Sequence, residues 1–171
     1  MRTLVIGLGN PILTDDGIGF YVIDVLQQKH NDVSFSFEKA CLAGMELLDL
    51  MLDTDRLVIV DAIKLGGRVG RVYWLKEEEI EKSLHTATHD LGFGTVIELG
   101  RALISTRMPK EIDILAIEVK DTQTFSEEFS PELRQEIPRI ISTIAEAVFR
   151  GDCRGLDPDL KAGNYLLQEL Y

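Results

Sequence analysis

The fold is decided by the stretch Gly7-Leu-Gly-Asn-Pro-Ile-Leu-Thr-Asp15-Asp16-Gly17. The apolar residues 3–7 before it are typical of a buried strand that ends on glycine. Apolar residues then recur at helical spacing, which predicts a helix over residues 16–29. The stretch is therefore a strand-to-helix loop that carries two adjacent carboxylates.

The rest of the chain continues the alternation of strand and helix. Short apolar or alternating runs predict further strands at 33–38, 56–61, 70–75 and 112–118, the strand at 70–75 being a candidate for antiparallel pairing. Periodic apolar segments predict helices at 44–52, 91–104 and 130–150, the last with Ser130 as N-cap and Pro131 in its first turn. This order predicts an α/β three-layer sandwich, with a mostly parallel sheet between helices.

Length and charge limit the classes of function. With 171 residues, we expect a single α/β domain over residues 1–150, followed by a tail at 151–171 that packs on it or is loosely ordered. The formal net charge of −11 argues against binding to nucleic acid or to an anionic membrane. Such a chain would attract cations or a basic segment of a partner, but the same charge is also explained by solubility alone.

The amino terminus and the cysteines bear on the compartment. Residues 1–7 have the pattern of a strand rather than of a signal peptide, and no apolar run is long enough to span a bilayer. Cys41 and Cys153 lack the Cys-x-x-Cys spacing of a redox or zinc motif and fit a reducing compartment. We therefore expect a cytoplasmic protein that does not insert into membranes.

Polar residues gather where the strands of the predicted sheet end. Asp15 and Asp16 follow the first strand, Asp61 closes the third, and His85 and His89 precede the helix at 91–104. In parallel sheets, sites form beyond the carboxyl ends of the strands. Two carboxylates and an imidazole make a partial coordination shell for nickel, zinc, manganese or iron. Each residue also has a simpler role open to it, as a helix cap, a polar strand end or a local hydrogen-bond partner.

A dinucleotide site is the competing interpretation of the first loop. Gly7-x-Gly9 begins the right motif, and Glu38 stands where a ribose-binding acid would. Against it, Pro11 removes a backbone donor, Ile12 occupies the third glycine position, and the Asp15-Asp16 pair repels a pyrophosphate.

The same motifs resemble those of the maturation endopeptidases of nickel–iron hydrogenases. The resemblance covers residues 3–149 in order. Its motifs are Gly7-x-Gly9-Asn10-Pro11-x-x-x-Asp15-Asp16-Gly17-x-Gly19, Gly44-x-x-Leu47-Leu48, Val58-Ile59-Val60-Asp61-Ala62, His89-Asp90-Leu91-Gly92 and Phe129-Ser130-Pro131-Glu132-Leu133. It implies a twisted five-stranded sheet between helices.

The resemblance also implies an activity. Members remove a C-terminal extension from the hydrogenase large-subunit precursor after nickel insertion, with the bound nickel as the recognition signal. The metal-contacting and catalytic residues carried over are Asp16, Asp61 and His89, the last preferred to His85 because it adjoins the matching Asp90-Leu91-Gly92 segment. The expected partner is that precursor. The expected metal is nickel supplied by it, although another divalent ion could occupy the site in isolation. A non-catalytic module for metal sensing or delivery would use the same residues.

Overall fold

A sheet of five strands forms the centre of the computed structural model, which describes residues 1–41, 45–77, 93–151 and 156. The strands are β1 (Thr3–Leu8), β2 (Phe35–Ala40), β3 (Arg56–Ile63), β4 (Val72–Lys76) and β5 (Glu111–Glu118). The helices are α1 (Ile18–Lys29), α2 (Met45–Met51), α3 (Phe93–Ile104) and α4 (Pro131–Arg150). Across the sheet the order is β2-β1-β3-β5-β4, parallel except for β4, which pairs with β5 in the antiparallel sense. The predicted α/β sandwich with its mostly parallel sheet is confirmed.

The two faces of β3 contribute to separate hydrophobic cores. Leu57 and Ile59 pack on the face covered by α2 and α3. Val58 and Val60 pack on the opposite face, covered by α1 and α4. Side chains alternate along a strand, so Asp61 is in phase with Ile59 and belongs to the α2–α3 face.

The second strand begins later than predicted. The alternation from Val33 suggested a start there, but β2 runs from Phe35 to Ala40. The Asp32 carboxylate accepts hydrogen bonds from the backbone N–H of Ser34 at 2.9 Å and from its hydroxyl at 2.8 Å. This local turn competes with strand pairing, and Val33 is left fully exposed.

The third strand continues beyond its predicted end. Asp61 was expected to close it, but β3 reaches Ile63 because Asp61, Ala62 and Ile63 still pair with β5. The ladder to β1 stops earlier, at the pair Gly7–Val60. Asp61 therefore lies within a strand, beyond the last rung of the ladder that joins β3 to β1.

The predicted helix after the first loop begins with a different structure. Residues Thr14–Gly17 form a 3-10 turn, and the α-helix starts only at Ile18. Within the first turn of α1, a Cβ atom added to Gly19 would lie 2.2 Å from the carbonyl oxygen of Leu8 and 2.7 Å from that of Val60. The helix thus touches the backbone of β1 and β3 directly.

The carboxyl-terminal part of the chain is described only in part. The N-cap prediction for α4 is confirmed, because the Ser130 hydroxyl accepts a hydrogen bond from the N–H of Leu133 at 3.3 Å and Pro131 follows it. Leu156 is buried in the α1–α4 core. The boundary drawn at residue 150 stays a prediction. No helix in the described ranges is long and apolar enough to cross a membrane.

The contact between α1 and the sheet can be tested with Gly19→Ala. Because the added methyl group meets two backbone oxygens that cannot rotate away, we expect the free energy of unfolding to fall by about 2–3 kcal/mol in urea denaturation. Gln28→Ala, at an exposed position of the same helix, should change it by less than about 0.5 kcal/mol. Equal stability of the two variants would contradict the close contact.

Candidate active site

The strand order reverses between β1 and β3, and this reversal positions the candidate site. From β1 the chain passes through α1 to β2 on one side, and from β2 through α2 to β3 on the other. Such a reversal leaves a crevice at the carboxyl ends of the two central strands, where ligands bind in sheets of this type. Asp16 lies in the loop after β1, and Asp61 lies on β3.

The loop after β1 fixes the carboxylate of Asp16. Its Oδ2 accepts a hydrogen bond from the N–H of Asn10 at 2.6 Å. Gly9 has a φ of 131°, and a Cβ atom there would lie 2.0 Å from the carbonyl oxygen of Asp16. Only glycine combines that conformation with so close an approach. The carboxylate is half-buried, and burial raises the pKa of Asp16, although the Asn10 hydrogen bond opposes the rise.

Asp61 has the more perturbed carboxyl group. Its Oδ1 accepts a hydrogen bond from the N–H of Ala62 at 2.8 Å. Burial raises the pKa of Asp61 to about 7, the Ala62 hydrogen bond opposes the rise, and the negative charge of Asp16 adds to it. The structure thus brings these two predicted site residues close enough to interact electrostatically.

Among the described residues, no cationic side chain pairs with the carboxylates of Asp16 and Asp61. Within residues 1–41, 45–77, 93–151 and 156, neither Asp16 nor Asp61 forms a salt bridge. The same ranges contain no cluster of three His, Cys, Asp or Glu side chains suited to a metal ion. Two partly desolvated carboxylates at a crevice can bind a divalent ion as part of a larger ligand set, or can hold a proton near neutral pH.

The remaining predicted residues lie outside the described part of the chain. These are His89, the alternative His85, and Gly44 of the second motif. Whether His89 joins the two carboxylates therefore stays a prediction.

Asp15 has a role that the sequence analysis did not identify. Its carboxylate is fully buried and accepts hydrogen bonds from the N–H groups of Lys120 and Asp121, both at 3.1 Å. It also accepts hydrogen bonds from the N–H of Ser130 at 2.7 Å and from its hydroxyl at 2.8 Å. Asp15 therefore joins the first loop to the β5–α4 connection. The predicted N-cap at Ser130 was the available signal, but it did not name this partner.

Another charged cluster lies at the opposite edge of the sheet and is internally neutralised. Asp113, almost fully buried, accepts hydrogen bonds from Arg56 at 2.9 Å and from Trp74 at 2.9 Å, and pairs with Lys76 at 2.9 Å. Arg56 and Lys76 hold the pKa of Asp113 below its ordinary value although burial raises it. These residues line a cavity of about 410 Å³. Their mutual pairing contrasts with the unbalanced charge at Asp16 and Asp61.

Comparison with known proteins points to one family. Residues 21–147 match the family model described as hydrogenase maturation protease. The hydrogenase 2 maturation protease of Escherichia coli K12 is 30% identical over 162 residues, covering 88% of this chain and 97% of the relative. The hydrogenase expression/formation protein HupD of Bradyrhizobium diazoefficiens is 24% identical, covering 80% of this chain and 72% of the relative.

Solved structures agree with these matches. The hydrogenase maturating endopeptidase HybD from E. coli superposes with a TM-score of 0.74 and 26% identity, over 88% of this chain and 94% of that one. A [NiFe] hydrogenase maturation protease from Thermococcus kodakarensis superposes with a TM-score of 0.69 over 86% of this chain and 92% of that one. At 22% identity, the second similarity supports the fold alone.

The contrasting contacts of the two neighbouring aspartates predict contrasting effects on stability. Asp15→Ala leaves buried backbone donors and the Ser130 hydroxyl without their acceptor, so we expect the free energy of unfolding to fall by about 3–5 kcal/mol. Asp16→Asn keeps an acceptor for Asn10 and loses a partly desolvated charge, so it should stay within about 1 kcal/mol of the unsubstituted protein. Urea denaturation measures both, and similar losses in the two variants would contradict this division of roles.

The raised pKa of Asp61 predicts a pH-dependent stability. Its carboxyl group binds a proton near pH 7 in the folded protein but near 3.8 when unfolded, so its ionisation destabilises the fold increasingly as pH rises between those values. Asp61→Asn removes this effect and retains an acceptor for Ala62. We expect the variant to match the unsubstituted protein near pH 4 and to exceed its free energy of unfolding by on the order of 2 kcal/mol at pH 8.

The measurement is urea denaturation across this pH range in the presence of a chelator. Asp24→Asn provides a control, because Asp24 is exposed and pairs with Lys39 on the surface. A stability difference for Asp61→Asn that does not vary with pH would contradict the raised pKa.

Proposed function

The chain belongs to the hydrogenase maturation protease family, and from that premise we propose which bond it cleaves and how it recognises its substrate. Membership makes it a hydrolase of the protease class. In our proposal it removes the C-terminal extension of a nickel–iron hydrogenase large-subunit precursor after nickel insertion. Asp16, Asp61 and His89 contact the nickel that the precursor carries, and the scissile peptide then lies beside them.

The observation that carries this proposal is the unbalanced pair of carboxylates. Asp16 and Asp61 flank the crevice between β1 and β3 and have no salt-bridge partner in the described ranges. Burial raises the pKa of both carboxyl groups, and the negative charge of Asp16 raises the pKa of Asp61 further. A cation brought by a partner would relieve that cost. A metal-bearing substrate therefore binds more favourably here than the same substrate without its metal.

Chain connectivity supports the inclusion of His89. Glu77, directly after β4, accepts a hydrogen bond from Arg101 in the second half of α3 at 2.7 Å. The antiparallel direction of β4 brings its end to the amino edge of the sheet, where β5 also begins. The carboxyl end of α3 leads into β5, which begins at the amino edge of the sheet. The first residue of the helix, Phe93, therefore lies nearer the carboxyl edge. His89 lies four residues before Phe93 in the sequence, and on that ground we include it in the proposed site.

The ionisation of Asp61 suits a role in the reaction. With a pKa of about 7 in the protein without metal, its carboxyl group can hold a proton at neutral pH and would release it when a cation binds beside it. A divalent ion bound beside it supplies Lewis-acid polarisation of a carbonyl group or of a bound water. The hydrogen bond from the N–H of Asn10 holds the carboxylate of Asp16 in position. Its negative charge would attract the cation of the substrate.

The test is cleavage of nickel-loaded and nickel-free large-subunit precursor, followed by the intact mass of the precursor. We expect loss of a C-terminal fragment from the loaded form only. Asp16→Asn, Asp61→Asn and His89→Ala should each lower the rate by about 100-fold or more, because each removes a ligand or a proton carrier. Intact precursor in every sample would instead favour a non-catalytic metal-delivery module.

Two matched controls make the assignment of residues specific. His85→Ala tests the neighbouring histidine and should retain most of the rate. Asp24→Asn tests removal of a surface carboxylate that is already paired with Lys39 and should do the same. Unchanged processing by Asp16→Asn or His89→Ala, or equal cleavage of loaded and nickel-free precursor, would overturn the proposal.

A further inference from the structure

Two large apolar side chains stand exposed beside Asp16. Phe125 is 79% exposed and Ile12 is 47% exposed. Leu13 and Ser126 form a parallel β-bridge, in which Ser126 donates to the carbonyl of Ile12 at 3.0 Å and Thr14 donates to the carbonyl of Ser126 at 2.8 Å. In a parallel pair, residues at equal register lie side by side on one face. Ile12 and Phe125, each one residue before the bridge, are therefore neighbours.

The backbone that presents Phe125 is firmly held. The Thr14 hydroxyl donates to the carbonyl of Thr124 at 2.6 Å. The Asp121 carboxylate accepts hydrogen bonds from the N–H groups of Gln123 and Thr124, both at 3.0 Å. These turn contacts lower the pKa of Asp121 to about 2. An apolar side chain on a preorganised loop loses little conformational entropy on binding, which favours its use as a contact point.

This apolar pair is continuous with the candidate active site. The N–H of Asp16 donates to the carbonyl of Leu13 at 2.9 Å, so Ile12 lies one turn of backbone from the site carboxylate. Two side chains offer far less than the roughly 800 Å² per partner that a stable protein dimer buries. They suit a short extended segment with one apolar side chain, rather than a second copy of this chain.

We propose that Ile12 and Phe125 form the docking surface for an apolar side chain of the precursor segment next to the scissile bond. The inference rests on the proposed function for the identity of the partner. This surface selects peptides that carry an apolar side chain at the matching position, whereas Asp16 and Asp61 select for the metal. Binding through this surface is the same in the ground state and in the transition state, so its loss raises KM more than it lowers kcat.

The kinetic test uses nickel-loaded precursor with Phe125→Ala, Ile12→Ala and Phe125→Leu. We expect the KM of Phe125→Ala to rise by about 10- to 100-fold while kcat falls by less than about twofold, with a smaller rise for Phe125→Leu because it keeps an apolar surface. Leu103→Ala is the matched control, since Leu103 is 69% exposed but lies on α3. A KM for Phe125→Ala equal to that of Leu103→Ala would overturn the docking surface.

A second measurement does not depend on cleavage. The photo-crosslinking residue p-benzoylphenylalanine is incorporated at position 125 or, as a control, at position 103, and the crosslinked peptide from nickel-loaded precursor is identified by mass spectrometry. We expect a crosslink from position 125 to the precursor near its C-terminal extension, and none from position 103. If the precursor crosslinks there but is never cleaved, the docking surface stands and the proposed protease function fails. If cleavage is normal but position 125 crosslinks only to another copy of the chain or to nothing, the docking surface is wrong.

Discussion

The buried carboxylate of Asp15 is the contact on which the arrangement of the site depends. It accepts hydrogen bonds from two backbone groups after β5 and from both donors of Ser130, the residue that caps α4. One side chain thus fastens the loop after β1 to the connection between β5 and α4. Because Asp16 is the next residue, the same contact determines which way the neighbouring carboxylate faces. The fully buried Asp15 therefore has a structural role, while the half-buried Asp16 beside it is the candidate site residue.

The position of the loop after β1 makes ionisation of the two site carboxylates less favourable. Asp16 and Asp61 are held near each other and partly away from water. Burial opposes the ionisation of both carboxyl groups, and the negative charge of Asp16 also opposes that of Asp61. Buried charges are normally paired, as Asp113 is with Arg56 and Lys76 at the opposite edge of the sheet. Asp16 and Asp61 have no cationic partner among the described residues, and they lie where the elements are tightly packed, with Gly19 of α1 against the backbone of two strands.

The sequence predicted the layers well and the loops poorly, for a physical reason. Apolar runs at strand or helix period depend on burial alone, so the five strands could be located from them. The α4 cap could be located from the local Ser130-Pro131 pair. The end of β3 could not, because it depends on β5 continuing as a partner after β1 has stopped. Nor could the sequence assign opposite roles to Asp15 and Asp16, since these follow from a 3-10 turn in which Thr14 has a φ of 41°.

In the proposed function, these features account for the selection of a metal-loaded substrate. A precursor without its metal would remove water from two carboxylates that have no cationic partner in the part of the chain that the structure describes, and this contact would be unfavourable. A precursor that carries a cation would instead be attracted by the two carboxylates, so the contact would become favourable. In this proposal the two carboxylates supply only part of a coordination shell, so a modest affinity for a free ion is expected, with most of the discrimination arising when metal and peptide arrive as one ligand. The apolar contact of Phe125 then adds affinity that does not depend on charge, so recognition of the metal and recognition of the chain are separable on this surface.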